Sequence, residues 1–129
     1  MSQFNIKFYT NSDGKCDFFD YYQKLKLEKK SGNKNSRILF LAISRKLRIL
    51  KRNGTRSGMP DFRYIKGSEF PIWEIRIKHP QGYFRIFIYR RNNIYYVLNY
   101  FWKKQSKTPK KEIWKAEKLI EDIESRLGG

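Results

Sequence analysis

The sequence predicts a small α+β domain: an antiparallel meander sheet, an N-terminal strand and an αα-hairpin packed on one face, a C-terminal helix, and an open basic face. Three observations predict it. Apolar residues alternate with period two at the N-terminus and again after Pro71, the pattern of half-buried strands. Between Cys16 and Asn53 they recur at helical spacing instead. The charge is uneven: 29 Lys and Arg against 12 Asp and Glu give +17, and the 37 residues from Ile75 to Lys111 hold ten cations and no acid.

Taken in order, Gln3 to Thr10 places Phe4, Ile6 and Phe8 on one side of a strand. Asn11-Ser12-Asp13-Gly14 is a turn. Phe18, Tyr22 and Leu25 mark a helix over about Cys16 to Lys30, broken by Ser31-Gly32-Asn33. Phe40, Ile43, Leu47 and Leu50 mark a second helix, with Lys51 and Arg52 in its last turn and Gly54 just beyond, a C-terminal signature. Thr55 to Pro60 is a loop. Strand character begins at Phe62 and is explicit from Pro71 to Lys78, where Trp73, Ile75 and Ile77 oppose Glu74, Arg76 and Lys78. His79-Pro80-Gln81-Gly82 turns into Tyr83 to Tyr89. Asn92-Asn93 suits a two-residue hairpin turn because Asn tolerates positive φ. Ile94 to Trp102 is the third strand of the meander. Thr108 as N-cap and Pro109 at the first helical position start the last helix, whose stripe is Ile113, Ala116, Ile120, Ile123 and Leu127.

A chain of 129 residues with 17% aromatic content is one folded domain over 1–129, large enough for a real core. No stretch approaches the ~20 apolar residues of a membrane span, and the N-terminus lacks the pattern of a signal peptide. The single cysteine, Cys16, forms no internal disulfide. A cytoplasmic protein is expected.

Concentrated positive charge points to a polyanionic partner, nucleic acid above all. Lys78, Arg90 and Lys107 are candidate phosphate contacts. Tyr83, Tyr100 and Trp102 are candidate faces on which unpaired bases stack. Trp73 and Trp114 read as core, and Trp102, beside lysines, as surface. Arg76 and Arg85 fall on the polar sides of neighbouring strands. If both lack partners they repel, and an anion between them is the natural relief. With Lys103 and Lys104 at the end of the third strand, they form a patch suited to a phosphodiester and to the extra charge of its transition state. Against this stands an ordinary solvated strand surface with Glu74 pairing Arg76. No carboxylate or histidine pair has metal-ligand spacing, so no metal or cofactor is expected. His79 is the one histidine, and Cys16 lacks an activating neighbour.

The strings Trp73-Glu74-Ile75-Arg76, Tyr83-Phe84-Arg85-Ile86 and Phe101-Trp102-Lys103-Lys104-Gln105-Ser106-Lys107-Thr108-Pro109 resemble, in order and spacing, the RelE/HigB superfamily of bacterial toxins, most closely its HigB-like, phage-derived branch. Phe8-Tyr9, Gly14 and Phe19 resemble the family's first strand and helix start. Gly54, Pro60 and Tyr64-Ile65-Lys66-Gly67 resemble its connector. The resemblance implies the toxin of a type II toxin–antitoxin system: a metal-independent endoribonuclease that cuts mRNA, commonly on the ribosome, by attack of the ribose 2′-hydroxyl. Its implied partner is a HigA-like helix-turn-helix antitoxin. Arg76 and Arg85 match the arginines that grip the scissile phosphate, and Lys103 and Lys104 match the lysine pair at the site's edge. Asn99 departs from the family pattern, standing where many relatives carry His. His79, Tyr96 and Tyr100 are the candidates for proton transfer. Two other readings stand beside the nuclease: a non-catalytic basic nucleic-acid-binding module, and a protein-interaction module that docks an acidic partner.

Overall fold

The computed structural model describes residues 3–104 and 107–128. Gln105 and Ser106 of the third motif, like Met1, Ser2 and Gly129, lie outside the described residues. Eight elements follow one another: β1 (Asn5–Phe8), α1 (Asp17–Lys30), α2 (Lys34–Asn53), β2 (Phe62–Tyr64), β3 (Ile72–His79), β4 (Gly82–Arg91), β5 (Ile94–Lys103) and α3 (Lys110–Arg126). The predicted α+β class holds. The sheet runs β1-β5-β4-β3-β2. Its β2–β5 part is an antiparallel meander, while β1 lies parallel to the far edge strand, Asn5 opposite Ile94 and Phe8 opposite Val97.

Local chemistry sets the helix ends. The Cys16 thiol accepts the Phe19 N–H at 3.3 Å and caps α1. Burial raises its pKa, which suits a capping thiol and not a nucleophile. The Asn33 side chain caps α2 by accepting the Ser36 N–H at 3.0 Å. Gly54 closes α2 at φ +67, where a Cβ would meet the Phe4 ring and the Tyr95 hydroxyl at 2.9 Å; only glycine combines that backbone with that approach. Asn92 takes φ +57 in the β4–β5 turn, as its position in the sequence requires.

The helical hairpin covers one face of the sheet. Phe18, Leu25, Leu39, Ile43 and Leu50 pack against Ile75, Ile77, Phe84, Ile86, Ile88 and Val97. Leu39 is buried where Phe40 is half-buried, stacked on Tyr22 at 4.6 Å. The second face is open only at one end. The stripe Ala116, Ile120 and Ile123 of α3 has to leave water too, and it closes a second core with Ile72, Phe87, Tyr89, Tyr96, Leu98 and Phe101. Trp114 lies outside that core at 58% exposure, and Leu127 is exposed as well, because both sit at the edge of the buried stripe.

Tyr89 ties α3 to the sheet. Its buried hydroxyl donates to the Glu124 carboxylate, which also pairs with Arg91 at 3.3 Å. Burial first, and the bond to Glu124 second, push the phenol up to about 12. Because the folded pKa lies above the unfolded one, the stabilisation is complete below pH ~10 and is lost as pH rises towards 12. Thermal melts should therefore show Tm falling between pH 10 and 12. Tyr89→Phe, less stable below pH 10, should show a shallower fall; an equally steep one would assign the loss to other groups.

Candidate nucleic-acid interface

Strand register assembles the open end of the second face. The tight turn between His79 and Gly82 sets Arg76 directly opposite Arg85 and Lys78 opposite Tyr83. On the next strand, Lys103 lies opposite Tyr83 and Phe101 opposite Arg85. On the other side, Arg63 of β2 lies opposite Glu74. Directly opposed residues on one face have Cβ atoms about 5 Å apart. Alternation thus gathers Arg63, Glu74, Arg76, Lys78, Tyr83, Arg85 and Lys103 on one side.

Lys103 reaches that side through an irregularity. The β4–β5 ladder pairs Ile88 with Val97 but Ile86 with Tyr100, so β5 carries one extra residue. Such a bulge reverses the alternation beyond it. Val97 and Tyr100 both face the helical hairpin, and Phe101 and Lys103 turn to the arginine side. Asn99 occupies the bulge, where its Nδ2 donates at 3.1 Å to both the backbone oxygen and Oε1 of Glu112 and ties β5 to the first turn of α3.

Neither two partnerless arginines nor a solvated strand surface with Glu74 on Arg76 is what forms. Arg85 is 3% exposed and its partner is Glu74, itself wholly buried, with Nε and Oε1 3.5 Å apart. Glu74 does not pair Arg76. The Thr108 hydroxyl donates to the other Glu74 oxygen at 3.3 Å, and Pro109 takes the N-cap position of α3 without a side-chain bond. Thr108 thus ties the segment after β5 to the sheet instead of capping the helix. Arg85 Nη1 donates to the Ile77 and Phe84 carbonyls at 3.3 and 3.1 Å, and the guanidinium lies 5.3 Å from the centre of the Tyr83 ring. Burial lowers the Arg85 pKa, Glu74 opposes that shift, and Arg76 and Arg63 add to it. Lys103, 5% exposed, is lowered by burial against Glu74, with Arg85, Arg63 and Arg76 contributing.

Four cations, Arg63, Arg76, Arg85 and Lys103, therefore share one carboxylate. Among the described residues the guanidinium of the half-buried Arg76 has one hydrogen-bond acceptor, the Met59 sulfur, 3.2 Å from Nη1. An anion settling about 4 Å from one of these groups gains about 4 kcal/mol at the effective dielectric of such a site. Exposed Tyr83 adds a ring on which a neighbouring base can stack. Arg63 escaped the sequence reading, and Thr108 was legible only as a helix cap and not as a partner of Glu74. The three-residue β2 has no alternation to reveal Arg63, whereas Glu74 was legible as an acid on the face of two arginines.

The other candidate residues lie elsewhere. Lys104 and Lys107 are exposed on either side of Gln105 and Ser106. Arg90 lies at the far end of β4 over the Phe4 ring, its Nε donating to the Asn92 carbonyl at 2.8 Å. Tyr100 faces the helical hairpin, stacked on Tyr21 at 4.7 Å. Trp102 is half-buried on that side, edge-on to Phe84 and His79, because the bulge turns it inward despite the lysines beside it. His79 is buried there as well; its Nδ1 accepts the Gln81 N–H and its Nε2 meets the Asn35 carbonyl, both at 3.0 Å. Tyr96 is buried in the second core, 6.4 Å from the Tyr89 ring. None of the three proton-transfer candidates thus stands among the clustered cations. A cleft of about 850 Å³ between α1 and α3 is lined by Tyr21, Asn99 and Trp114 and includes no member of the cluster. Among the described residues no three His, Cys, Asp or Glu side chains come together, and no helix is long and apolar enough to cross a membrane.

Residues 40–121, from α2 into α3, match the family described as phage derived protein Gp49-like (DUF891). No curated protein matches the chain.

Proposed function

The chain belongs to the phage-derived Gp49-like family, which is associated with toxin–antitoxin toxins of the RelE/HigB type, and from that premise we propose that it is a type II toxin that cuts mRNA as a metal-independent endoribonuclease and so inhibits translation. The observation that carries this reading is the convergence of Arg76, Arg85 and Lys103 on one face around a single carboxylate. Arg76 and Arg85 hold the non-bridging oxygens of the scissile phosphate, and Tyr83 supports an adjacent base. The 2′-oxygen–phosphorus bond forms as the phosphorus–5′-oxygen bond breaks. The 2′-hydroxyl proton passes to water, and the departing 5′-oxygen takes a proton from the Lys103 ammonium, which burial makes a readier donor. Water then restores the ammonium. The products are a 2′,3′-cyclic phosphate and a 5′-hydroxyl. Pre-aimed cations acting on the extra transition-state charge supply the main acceleration. Lys104 and Lys107 extend the phosphate track. The message is cut in the cytoplasm, on the ribosome, and the neutralising partner is a small HigA-like helix-turn-helix antitoxin.

One observation favours the alternative of a non-catalytic basic nucleic-acid-binding module: His79, Tyr96 and Tyr100 all lie away from the cluster. A single experiment separates the two. Induced expression in bacteria should arrest growth and leave translated messages cut, with 2′,3′-cyclic-phosphate and 5′-hydroxyl ends. Unimpaired growth and intact messages, with RNA still bound by the purified protein, would establish the binding module instead.

A further inference from the structure

Residues 29–60 form a second acid-free stretch, with ten cations and no Asp or Glu. It centres on α2, on the other side of the sheet from the Arg76–Arg85 cluster. Within α2, Lys34, Arg37, Leu41, Arg45, Arg48 and Arg52 are all exposed, and their steps of three and four residues align them along one ridge. At 1.5 Å per residue the ridge is about 27 Å long. It lies opposite the buried stripe Leu39, Ile43 and Leu50. The one lysine of α2 that is buried, Lys46, pairs with Asp61. Among the described residues none of the five ridge cations has a carboxylate within ion-pair distance.

We propose that this ridge binds the phosphate backbone of duplex RNA. Arginine dominates it, and its planar fork suits phosphate oxygens. No aromatic residue stands among its exposed positions, so the stacking faces that hold single strands are missing. Leu41 is its one large apolar member, too little for the apolar centre of a protein interface. The flanks of α2 are packed, with Ile38, Phe40, Ala42, Leu47 and Ile49 half-buried. Between Ser36 and Leu50 only residues of the crest are exposed. A crest cannot enter a groove deeply, but it can lie across the wide, shallow minor groove of an A-form helix and reach the phosphates on both sides. The proposal stands whether or not the sheet cluster cuts RNA, since the two surfaces are on opposite sides.

The test uses the full chain and a 20-base-pair RNA duplex with 2′-O-methyl riboses, which the 2′-hydroxyl route cannot cut. The triple variant R37Q/R45Q/R48Q should bind it at least ~10-fold more weakly than wild type at moderate salt. Its slope of log affinity against log salt should be shallower by about 2 to 3, the share of three phosphate contacts. R37K/R45K/R48K should recover most of the binding, and circular dichroism should be unchanged in both. Unaltered duplex affinity in the triple variant would overturn the proposal. So would equal weakening by Lys78→Gln, which would move the duplex to the sheet face. Equal or tighter binding of B-form DNA would overturn the assignment to RNA, and loss of an acidic protein partner with duplex binding intact would make the ridge a protein surface.

Discussion

Arg85→Ala is expected to lower single-turnover cleavage of a ribosome-bound message by about 10²–10³-fold, the usual effect of deleting one pre-aimed donor from a charged transition state. The same substitution should also melt the protein earlier. It takes from the buried Glu74 carboxylate its ion-pair partner among the described residues and leaves it the Thr108 hydroxyl as a hydrogen-bond donor, and breaking a buried pair from one side costs about 3–5 kcal/mol. For a chain of this size that corresponds to a fall in Tm of roughly 10–20 °C. Arg76→Ala separates the two effects. Arg76 is half-buried and has no carboxylate partner among the described residues, so its loss should cost cleavage with Tm nearly unchanged. If Arg76→Ala cleaves like wild type, the phosphate does not sit between the paired strands.

The second large effect concerns Glu74. Glu74→Leu alone should destabilise by a similar amount, because Arg85 is then a buried cation that keeps only two carbonyl bonds. Combining Glu74→Leu with Arg85→Met removes both charges and restores apolar packing, which in buried pairs is often neutral or stabilising. The double variant should melt near or above wild type and yet remain inactive. The coupling between the two sites, read from a double-mutant cycle, should be large. A double variant that melts as early as the singles would show that the pair is not one unit. One that cleaves normally would remove Arg85 from the chemistry altogether.

Much of this architecture was legible because it is local. The helical stripes, the Asn92-Asn93 turn and the glycine after α2 depend on neighbours within a few residues. The tight turn at His79–Gly82 made the opposition of Arg76 and Arg85 a matter of counting. What escaped depends on distant partners. The parallel pairing of β1 and the three residues of β2 have no strong periodicity of their own. Burial of α3 on the second face reduced an open surface to an open end. Glu74 was visible as an acid between cations, but its choice of Arg85 over Arg76, and its link to Thr108, follow from depth in the sheet. Trp102 is turned inward by the bulge, which the lysines next to it in sequence do not reveal, and Trp114 sits at the edge of the buried stripe of α3 and faces solvent.

The side on which the ammonium stands depends on the bulge and not on the residue types of β5. If the strand ran on from Val97 in plain alternation with every residue kept, Phe101 and Lys103 would trade sides with Tyr100 and Trp102, presenting an indole to the arginines where an ammonium now stands. Deleting the extra residue would do the opposite: Tyr100 would remain opposite Ile86, and Lys103 opposite Tyr83. In this protein a shortened strand could keep the site that an unbulged one of full length would lose, and an inventory of residue types would not reveal it.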